Sequence, residues 1–234
     1  MKRGIILSAF ILAVAVSSGF AFGQSVIKET RDAKDFAKVS FGVAGNLYIN
    51  FGPEFKVILE GEKSDLEDII TEVSGNRLVI KKDNWKFNFN EKVTVYITMP
   101  ELKGLGVSGS GKAEIKDAIK AEDLDLSVSG SGKIFTGDVV VSKLGCSISG
   151  SGDIVLGGNG NAARADISIS GSGNYEGGSY KIGTAEIHIS GSGNCSCNVT
   201  ESLRASVSGS GNVTYEGNPK VDAHVSGSGK VRSK

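Results

Sequence analysis

The sequence predicts an all-β protein, specifically a parallel β-helix or β-solenoid with about 20 residues per coil, preceded by irregular N-terminal coils and a cap. Three observations support this prediction. The tetrapeptide Ser-Gly-Ser-Gly occurs seven times in residues 106–234, at intervals of 18 to 21 residues. Most copies follow an alternation of apolar and polar residues that is typical of a strand. The chain contains 33 Gly but only 3 Pro, which excludes collagen and a proline-rich linker.

The alternation assigns one side of each repeated strand to the interior. In the second copy, Leu124, Leu126 and Val128 share their parity with the two glycines of the tetrapeptide, Gly130 and Gly132. The serines have the opposite parity and are predicted to point outward. Glycine at an inward position either permits close approach of another backbone or provides a positive φ at a bend. Both explanations remain open, and both favour coils that stack in register at a corner or narrow edge.

An antiparallel array, such as a propeller or a meander of hairpins, is the alternative fold. It would show two alternating strand types and Asn-Gly or Asp-Gly turns. Here one strand type returns at one interval, which parallel stacking explains more simply. A helical repeat is disfavoured because each glycine inside a helix costs about 1 kcal/mol.

Residues 1–23 predict a signal peptide. Lys2 and Arg3 precede an apolar run, and cleavage is expected before Gln24. The run, about a dozen residues long, is too short for a comfortable membrane span. No second apolar span follows, so we expect a mature chain without a transmembrane segment. The predicted location is exported: the periplasm, the outer-membrane surface or the extracellular space.

Residues 24–105 lack the tetrapeptide but contain several strand-like runs. They predict irregular coils and a cap that covers the open end of the stack, with a separate functional domain as the alternative. Within this segment, Ser64 as N-cap and Glu67 three residues later predict a capping box and a short helical turn. Residues 106–234 are assigned to the solenoid repeats.

Few residues suit catalysis or metal binding, and we predict no cofactor, no metal site and no catalytic residue. Lys plus Arg and Asp plus Glu number 26 each, which gives no reason to expect nucleic acid as a partner. His188 and His224 fall in one outward column, two coils and roughly 9.5 Å apart, too far to share a metal ion. Three cysteines, Cys146, Cys195 and Cys197, cannot all pair within one chain. We interpret them as small buried thiols.

The outward side of the repeats carries the candidate binding surface. Two columns of Ser stand beside a column in which Lys133 and Asp153 predict an exposed ion pair and the asparagines predict an amide ladder along the stack. A flat, hydroxyl-rich surface suits a glycan or another repetitive ligand, although serine is also simply small and polar beside glycine. The candidate binding residues are Ser129, Ser131, Ser149, Ser151, Ser170, Ser172, Ser190, Ser192, Asn174, Asn194 and Asn212.

The order of motifs resembles a known bacterial family. A Phe36-x-x-Val39 opening is followed by the alternating run from Val93 to Met99 and then by repeated Val/Ile-Ser-Gly-Ser-Gly. Together these motifs resemble the "putative auto-transporter adhesin, head GIN domain" family, common in Bacteroidota, over roughly residues 30–230. The resemblance implies a β-helix-like solenoid in an exported, adhesin-like protein, and it carries no catalytic residues.

The sequence therefore predicts a non-enzymatic, exported binding module at the cell surface or in the periplasm. Its predicted partner is a glycan or a cell-envelope protein. One alternative is a structural or envelope-sensing component that acts through its N-terminal half. The other is a carbohydrate-active enzyme, which would need clustered carboxylates on neighbouring coils. The column after the tetrapeptide contains a single carboxylate, Asp153.

Overall fold

The computed structural model describes residues 25–83 and 93–234, and these form nineteen strands and one short helix. The predicted signal peptide lies outside the described residues. The elements, in chain order, are β1 (Val26–Arg31), β2 (Lys38–Gly42), β3 (Gly45–Phe51), β4 (Lys56–Glu62), α1 (Lys63–Glu67), β5 (Ile69–Ser74), β6 (Arg77–Lys82), β7 (Val93–Met99), β8 (Gly104–Gly109), β9 (Lys112–Ile115), β10 (Ile119–Gly130), β11 (Lys133–Thr136), β12 (Val139–Gly150), β13 (Asp153–Leu156), β14 (Asn161–Gly171), β15 (Asn174–Gly191), β16 (Asn194–Gly209), β17 (Asn212–Glu216), β18 (Lys220–Gly227) and β19 (Lys230–Ser233).

Parallel pairing of successive coils forms a β-solenoid of about 6 turns that are roughly 20 residues apart. On one side, here called the long face, β8, β10, β12 and β14 pair in order, followed by the C-terminal parts of β15 and β16 and by β18. On the side that follows each tetrapeptide, here called the short face, β9, β11 and β13 pair in order, followed by the first residues of β15 and β16, and then by β17 and β19.

The tetrapeptides lie directly above one another. Gly130 is opposite Gly109 in one neighbouring coil and opposite Gly150 in the other. The same register continues to Gly227 in the last coil. The predicted parallel solenoid is therefore confirmed, and the antiparallel alternative is excluded for the repeats.

The two glycines of each tetrapeptide have different functions. Gly130 ends β10 with a φ of +109°, a conformation that L side chains rarely adopt, so it turns the chain at a corner. Gly132 is buried, and a Cβ at this position would lie 2.7 Å from Val107 Cγ1 and 2.8 Å from the carbonyl oxygen of Gly111. Both explanations that the sequence left open apply, one to each glycine. The first glycine lies half-buried at the corner, whereas the second lies in the interior.

Apolar side chains of one parity fill the interior. Leu124, Leu126 and Val128 are buried, and the alternate residues between them are exposed, as the pattern predicts. The inward parity changes earlier in β10, since Ile119 is buried and the next fully buried side chain is Leu124. The same change recurs in β12 and β14. Each coil therefore has a further corner and three sides.

The N-terminal strands build coils that do not follow sequence order. Strand β2 pairs in parallel with β6 on one side and with β8 on the other, and β3 pairs likewise with β7 and β9. The coil of β2 and β3 therefore lies between the coil of β6 and β7 and that of β8 and β9. Strand β4 pairs antiparallel with β1 and β7, and β5 pairs antiparallel with β6. The predicted boundary between residues 105 and 106 falls inside β8 and stays a prediction.

A single turn of helix, α1, follows β4. The predicted capping box is wrong, because the helix begins at Lys63 and its N-cap is Glu62, with no side-chain cap hydrogen bond. Glu62 is the last residue of β4 and already has the extended backbone that an N-cap requires. Burial of Leu66 holds the turn against the core. The described part of the chain contains no helix of the length and apolarity that a bilayer crossing requires.

Candidate binding groove on the short face

The tetrapeptide places two columns of exposed serines on either side of a corner. The first serine of each copy belongs to the last residues of a long-face strand, and the second follows the positive-φ glycine. The second serine holds the corner in register, since the N–H of Ser131 donates to the carbonyl oxygen of Gly109 at 2.8 Å. Of the predicted binding residues, Ser129, Ser149, Ser170 and Ser190 are in the first column and Ser131, Ser151, Ser172 and Ser192 are in the second; all are exposed. The two columns flank a bend, and ligand binding by them stays a prediction.

Immediately beyond the corner, the side chains of Asn174, Asn194 and Asn212 form an amide ladder along the stack. The Nδ2 of Asn212 donates to Asn194 Oδ1 at 3.0 Å. The Nδ2 of Asn194 donates in turn to Asn174 Oδ1, also at 3.0 Å. The predicted ladder is therefore confirmed as a structural feature, and its role in binding stays a prediction.

Asp153 terminates the ladder and sets its direction. Its Oδ1 accepts a hydrogen bond from Asn174 Nδ2 at 2.9 Å, and its Oδ2 accepts one from Lys133 Nζ at 2.6 Å. The predicted Lys133–Asp153 ion pair is thus confirmed. Because an ionised carboxylate can only accept, the amides of Asn174, Asn194 and Asn212 all direct a donor toward Asp153. Each amide keeps a second N–H and at least one lone pair that the ladder does not use.

The electrostatics of this chain of contacts favour the ionised state of Asp153. Partial burial raises the pKa of Asp153, but hydrogen bonds from Lys133 and Asn174 outweigh that effect and hold the pKa below its ordinary value. The hydrogen bond and the charge of Asp153 raise the pKa of Lys133. Both groups are therefore charged at neutral pH, which is the state that orients the ladder.

A polar groove of about 750 Å³ lies over the ladder on the short face. Its floor follows the stacking direction, because its lining residues come from β15, β16, β17 and β19 and from the adjoining corners. The charge changes from positive to negative along the groove, because Lys230 and Arg232 lie at one end and Glu176 lies toward the other. The residues that line it are Asn174, Tyr175, Glu176, Gly178, Asn194, Cys195, Ser196, Ser210, Asn212, Thr214, Ser228, Lys230 and Arg232.

The groove brings together only part of the predicted site. Asn174, Asn194 and Asn212 line it, together with Ser210 and Ser228 from later copies of the second serine column. None of the eight predicted serines lines the groove, although Ser172 and Ser192 belong to the same coils as Asn174 and Asn194. Four further lining residues were not predicted from the sequence; they align in one column three residues after the tetrapeptide and are Glu176, Ser196, Thr214 and Arg232. Extending the column comparison by two residues would have found them.

A second, smaller groove of about 520 Å³ lies on the long face. The guanidinium of Arg164 contacts Asp166 Oδ1 and Glu186 Oε2, each at 2.9 Å, and His188 Nε2 lies 3.2 Å from Glu186 Oε1. His188 pairs with Ser206 and Ser206 pairs with His224, so the two histidines occupy one column two coils apart, as predicted. These contacts pair the guanidinium of Arg164 with two carboxylates.

The three thiols lie inside the solenoid. Cys146, Cys195 and Cys197 are free and buried. Burial raises the pKa of Cys146, and a hydrogen bond with Cys197, followed by burial, raises the pKa of Cys195. Across residues 25–83 and 93–234, no group of three or more His, Cys, Asp or Glu side chains is placed to hold a metal ion. The thiols are therefore core side chains, although Cys195 and Cys146 also border the first and the second groove.

Comparison with known proteins places this geometry in a family. Residues 35–219 match the family described as "putative auto-transporter adhesin, head GIN domain". The chain belongs to this family. The family membership inferred from the ordered motifs is thereby confirmed. No curated protein matches the sequence.

Solved structures share the fold of this head GIN domain protein. A "putative adhesin" from Bacteroides fragilis NCTC 9343 has a TM-score of 0.83 and 27% sequence identity, covering 91% of this chain and 98% of that one. A "putative adhesin" from Parabacteroides merdae ATCC 43184 has a TM-score of 0.71 and 24% identity, covering 89% and 96%. A "putative lipid binding protein" from Parabacteroides distasonis ATCC 8503 has a TM-score of 0.70 and 22% identity, covering 89% and 96%. The solenoid is thus common to proteins that carry different functional descriptions.

Proposed function

We propose that this protein is a non-enzymatic, exported binding module of the adhesin type, and that it holds a glycan in the groove of the short face. Membership in an adhesin-like family supports a role in binding another molecule. The amide ladder is the observation that carries the choice of ligand. A ladder of Asn174, Asn194 and Asn212 offers an unused N–H and an unused lone pair at each strand step of about 4.8 Å. Sugar hydroxyls both donate and accept, so they match such an alternating surface.

The second serine column widens this surface. Ser210 and Ser228 line the groove, and the same column continues through Ser131, Ser151 and Ser172 on earlier coils. None of these hydroxyls takes part in a hydrogen bond with the described part of the chain, so each is free to contact a ligand. A glycan longer than the groove would follow this column along the stack.

The groove is poorly suited to hydrolysis of a glycan. Canonical glycosidases use two carboxyl groups that flank the scissile bond. Among the described residues that line the groove, Glu176 is the one carboxylate. Incubation of the protein with envelope and host polysaccharides should release no new reducing ends, and their release would contradict the non-enzymatic assignment.

A lipid is the competing ligand, because one solved relative is described as a lipid binding protein. The groove is lined mainly by amides, hydroxyls and charged groups, whereas a lipid chain requires an apolar surface. Vesicle co-sedimentation that exceeds glycan binding would overturn the proposal.

Replacement of the ladder tests the proposal. Binding to a glycan array should be lost in the Asn194→Leu and Asn212→Leu variants, because leucine has a similar size but can neither donate nor accept. The matched control is Asn161→Leu, which changes an exposed asparagine of β14 that does not line the groove. Equal binding by all three variants and the unchanged protein would refute the groove as the site.

The serine column is tested separately. In the Ser131→Glu, Ser151→Glu and Ser172→Glu triple variant, bulky acids should block a long glycan but leave short oligosaccharides bound at the ladder. If the triple variant binds long glycans as tightly as the unchanged protein does, the serine column is not part of the site. The ladder alone then remains as the proposed site.

A further inference from the structure

Two cations stand at one end of the groove, and neither pairs with a carboxylate of residues 25–83 or 93–234. Lys230 and Arg232 both line it, and both belong to β19. Lys230 lies opposite Asn212 and Arg232 lies opposite Thr214 in the neighbouring coil. The two positions differ by two residues, so the side chains point to the same side of the strand.

Earlier coils carry lysines at the position of Lys230, and those lysines differ from it in having a carboxylate partner. Lys112 and Lys133 occupy the positions that correspond to Lys230 in earlier coils, and both are neutralised, Lys112 by Glu114 at 3.5 Å and Lys133 by Asp153. In the last coil the neighbouring side chains are an amide and a hydroxyl, which carry no charge. Glu216 is already paired with Lys234 at 2.7 Å. Within the described residues, Lys230 and Arg232 therefore keep their positive charge uncompensated.

The charge is local to the groove rather than a property of the whole protein. The chain carries as many acids as bases, 26 of each, so a general attraction for anions is not expected. A guanidinium presents a planar fork that matches a carboxylate or sulfate, and an adjacent ammonium adds a charge-assisted hydrogen bond. An anionic group at this end would receive both.

Lys230 occupies the next position of the asparagine column, directly beyond Asn212. Three strand steps separate Asn174 from Lys230, a distance of roughly 14 Å along the stack. Because every amide directs a donor toward Asp153, the Oδ1 of Asn212 at the other end receives no hydrogen bond from the ladder. A ligand that spans this distance meets neutral amides over most of its length and a positive charge at one end.

We infer that the groove recognises an acidic oligosaccharide, whose carboxylate or sulfate contacts Lys230 and Arg232 while its hydroxyls contact the asparagine ladder. The inference rests on the proposed glycan-binding function and adds the ligand class and orientation. The oligosaccharide lies along the stacking direction and crosses several coils. Its acidic group is at the β19 end.

Calorimetric titration of the mature protein with two matched tetrasaccharides tests this inference. Tetragalacturonate and its carboxyl-reduced form have the same linkage and differ only in whether C6 of each sugar is a carboxylate or a hydroxymethyl group. We expect the acidic form to bind at least about tenfold more tightly at low ionic strength, and the preference to shrink as added salt screens the contact. The Lys230→Gln and Arg232→Gln double variant should bind both forms equally. The control is a Lys120→Gln and Lys143→Gln double variant, which removes two exposed cations that do not line the groove and should keep the preference.

The outcomes separate this inference from the proposed function. Equal affinity for both tetrasaccharides, with binding lost in Asn194→Leu, would overturn the acidic specificity and leave glycan binding intact. A preference that survives in the Lys230 and Arg232 variant would also overturn it. Binding of galacturonate monomer as tightly as the tetramer would show a simple anion site and overturn the extended orientation. Failure of both tetrasaccharides to bind would overturn this inference, and failure of the protein to bind any member of the glycan array would also remove the proposed function.

Discussion

Asn174 donates a hydrogen bond from Nδ2 to Oδ1 of Asp153 across 2.9 Å, and this bond joins a column of neutral amides to an ion pair. Without it, each amide of the column could flip and exchange its donor and acceptor sides. With it, the carboxylate fixes the direction of Asn174, and each bond fixes the next. The pattern that the groove presents to a ligand thus depends on a residue outside the groove lining.

Removal of the anchor tests this dependence. In Asp153→Asn the position gains a donor, so the amide of Asn174 is no longer fixed in one direction. We expect a loss of glycan affinity with a change in unfolding free energy below about 1 kcal/mol, because asparagine keeps the shape of the half-buried side chain and the Lys133 partner is exposed. Calorimetry and urea denaturation check the two quantities. The control Glu122→Gln neutralises an exposed acid at a distant corner and should change neither; a large loss of stability in Asp153→Asn would instead show that the contact supports the fold.

The pH dependence of the ladder follows from the lowered pKa of Asp153. A carboxyl group whose pKa is lower in the folded protein than in the unfolded chain stabilises the fold above its unfolded pKa, and that contribution disappears as the pH falls through the folded value. We therefore expect the carboxyl resonance of Asp153 in carbon-13 NMR to titrate with a midpoint below about 3.9. A midpoint above this value would mean that burial outweighs the hydrogen bonds.

The corner glycines predict an asymmetric response to substitution. Gly130→Val places a β-branched residue at a φ of +109°, with its Cβ 2.7 Å from the carbonyl oxygen of Gly109. We expect a loss of unfolding free energy on the order of 1–3 kcal/mol, and a similar direction for the milder Gly130→Ala. The adjacent Ser131→Thr should change it by less than about 0.5 kcal/mol, since Ser131 is exposed. Equal losses in urea denaturation would mean that the positive φ and the close backbone contact of Gly130 do not determine which substitutions the corner tolerates.

The buried thiols should not react with thiol reagents in the folded protein. Burial raises the pKa of Cys146, and the contact with Cys197 raises that of Cys195, so little thiolate forms near pH 8. A colorimetric disulfide reagent should therefore react with no thiol of the native protein and with three in denaturant. Rapid reaction of a native thiol would indicate that the last coils open.

Substitution of two buried tyrosines tests whether their hydroxyl groups lower the unfolding free energy. Tyr175 and Tyr180 are fully buried, and their hydroxyl groups have no hydrogen-bond partner in the described structure. Tyr175→Phe and Tyr180→Phe remove an unsatisfied polar atom without changing the shape, so each should leave unfolding free energy unchanged or raise it by about 1 kcal/mol. A loss of more than 1 kcal/mol in urea denaturation would reveal an ordered water bound to the hydroxyl.

The repeats could be predicted from the sequence because each position obeys one local rule. The parity that sets Val128 inward and Ser129 outward recurs in every coil, so the stacking register and the asparagine ladder followed directly. The N-terminal region could not be predicted in the same way, because its coil order depends on long-range pairing of β2 with β6 and β8. Neither neighbour of β2 adjoins it in sequence.

The groove was only partly predictable for a related reason. Its asparagines occupy successive positions of one column, but the residue type changes from coil to coil in the column that contains Glu176 and Arg232. A concave surface is a property of the three-dimensional stack, and a column comparison does not contain that information. The charge of Lys230 likewise becomes informative only when the neighbours that fail to neutralise it are known.

The coil formed by β2 and β3 has a consequence for how the protein reaches its native state. Because this coil lies between two others, β2 has both of its parallel neighbours only after β6 and β8 have been synthesised. Coils that are added in chain order therefore join this coil on both of its sides rather than in one direction. Deletion of residues 38–51 would remove a coil from inside the stack rather than from its end. Strands β2 and β3 therefore connect the N-terminal coil of β6 and β7 to the repeats.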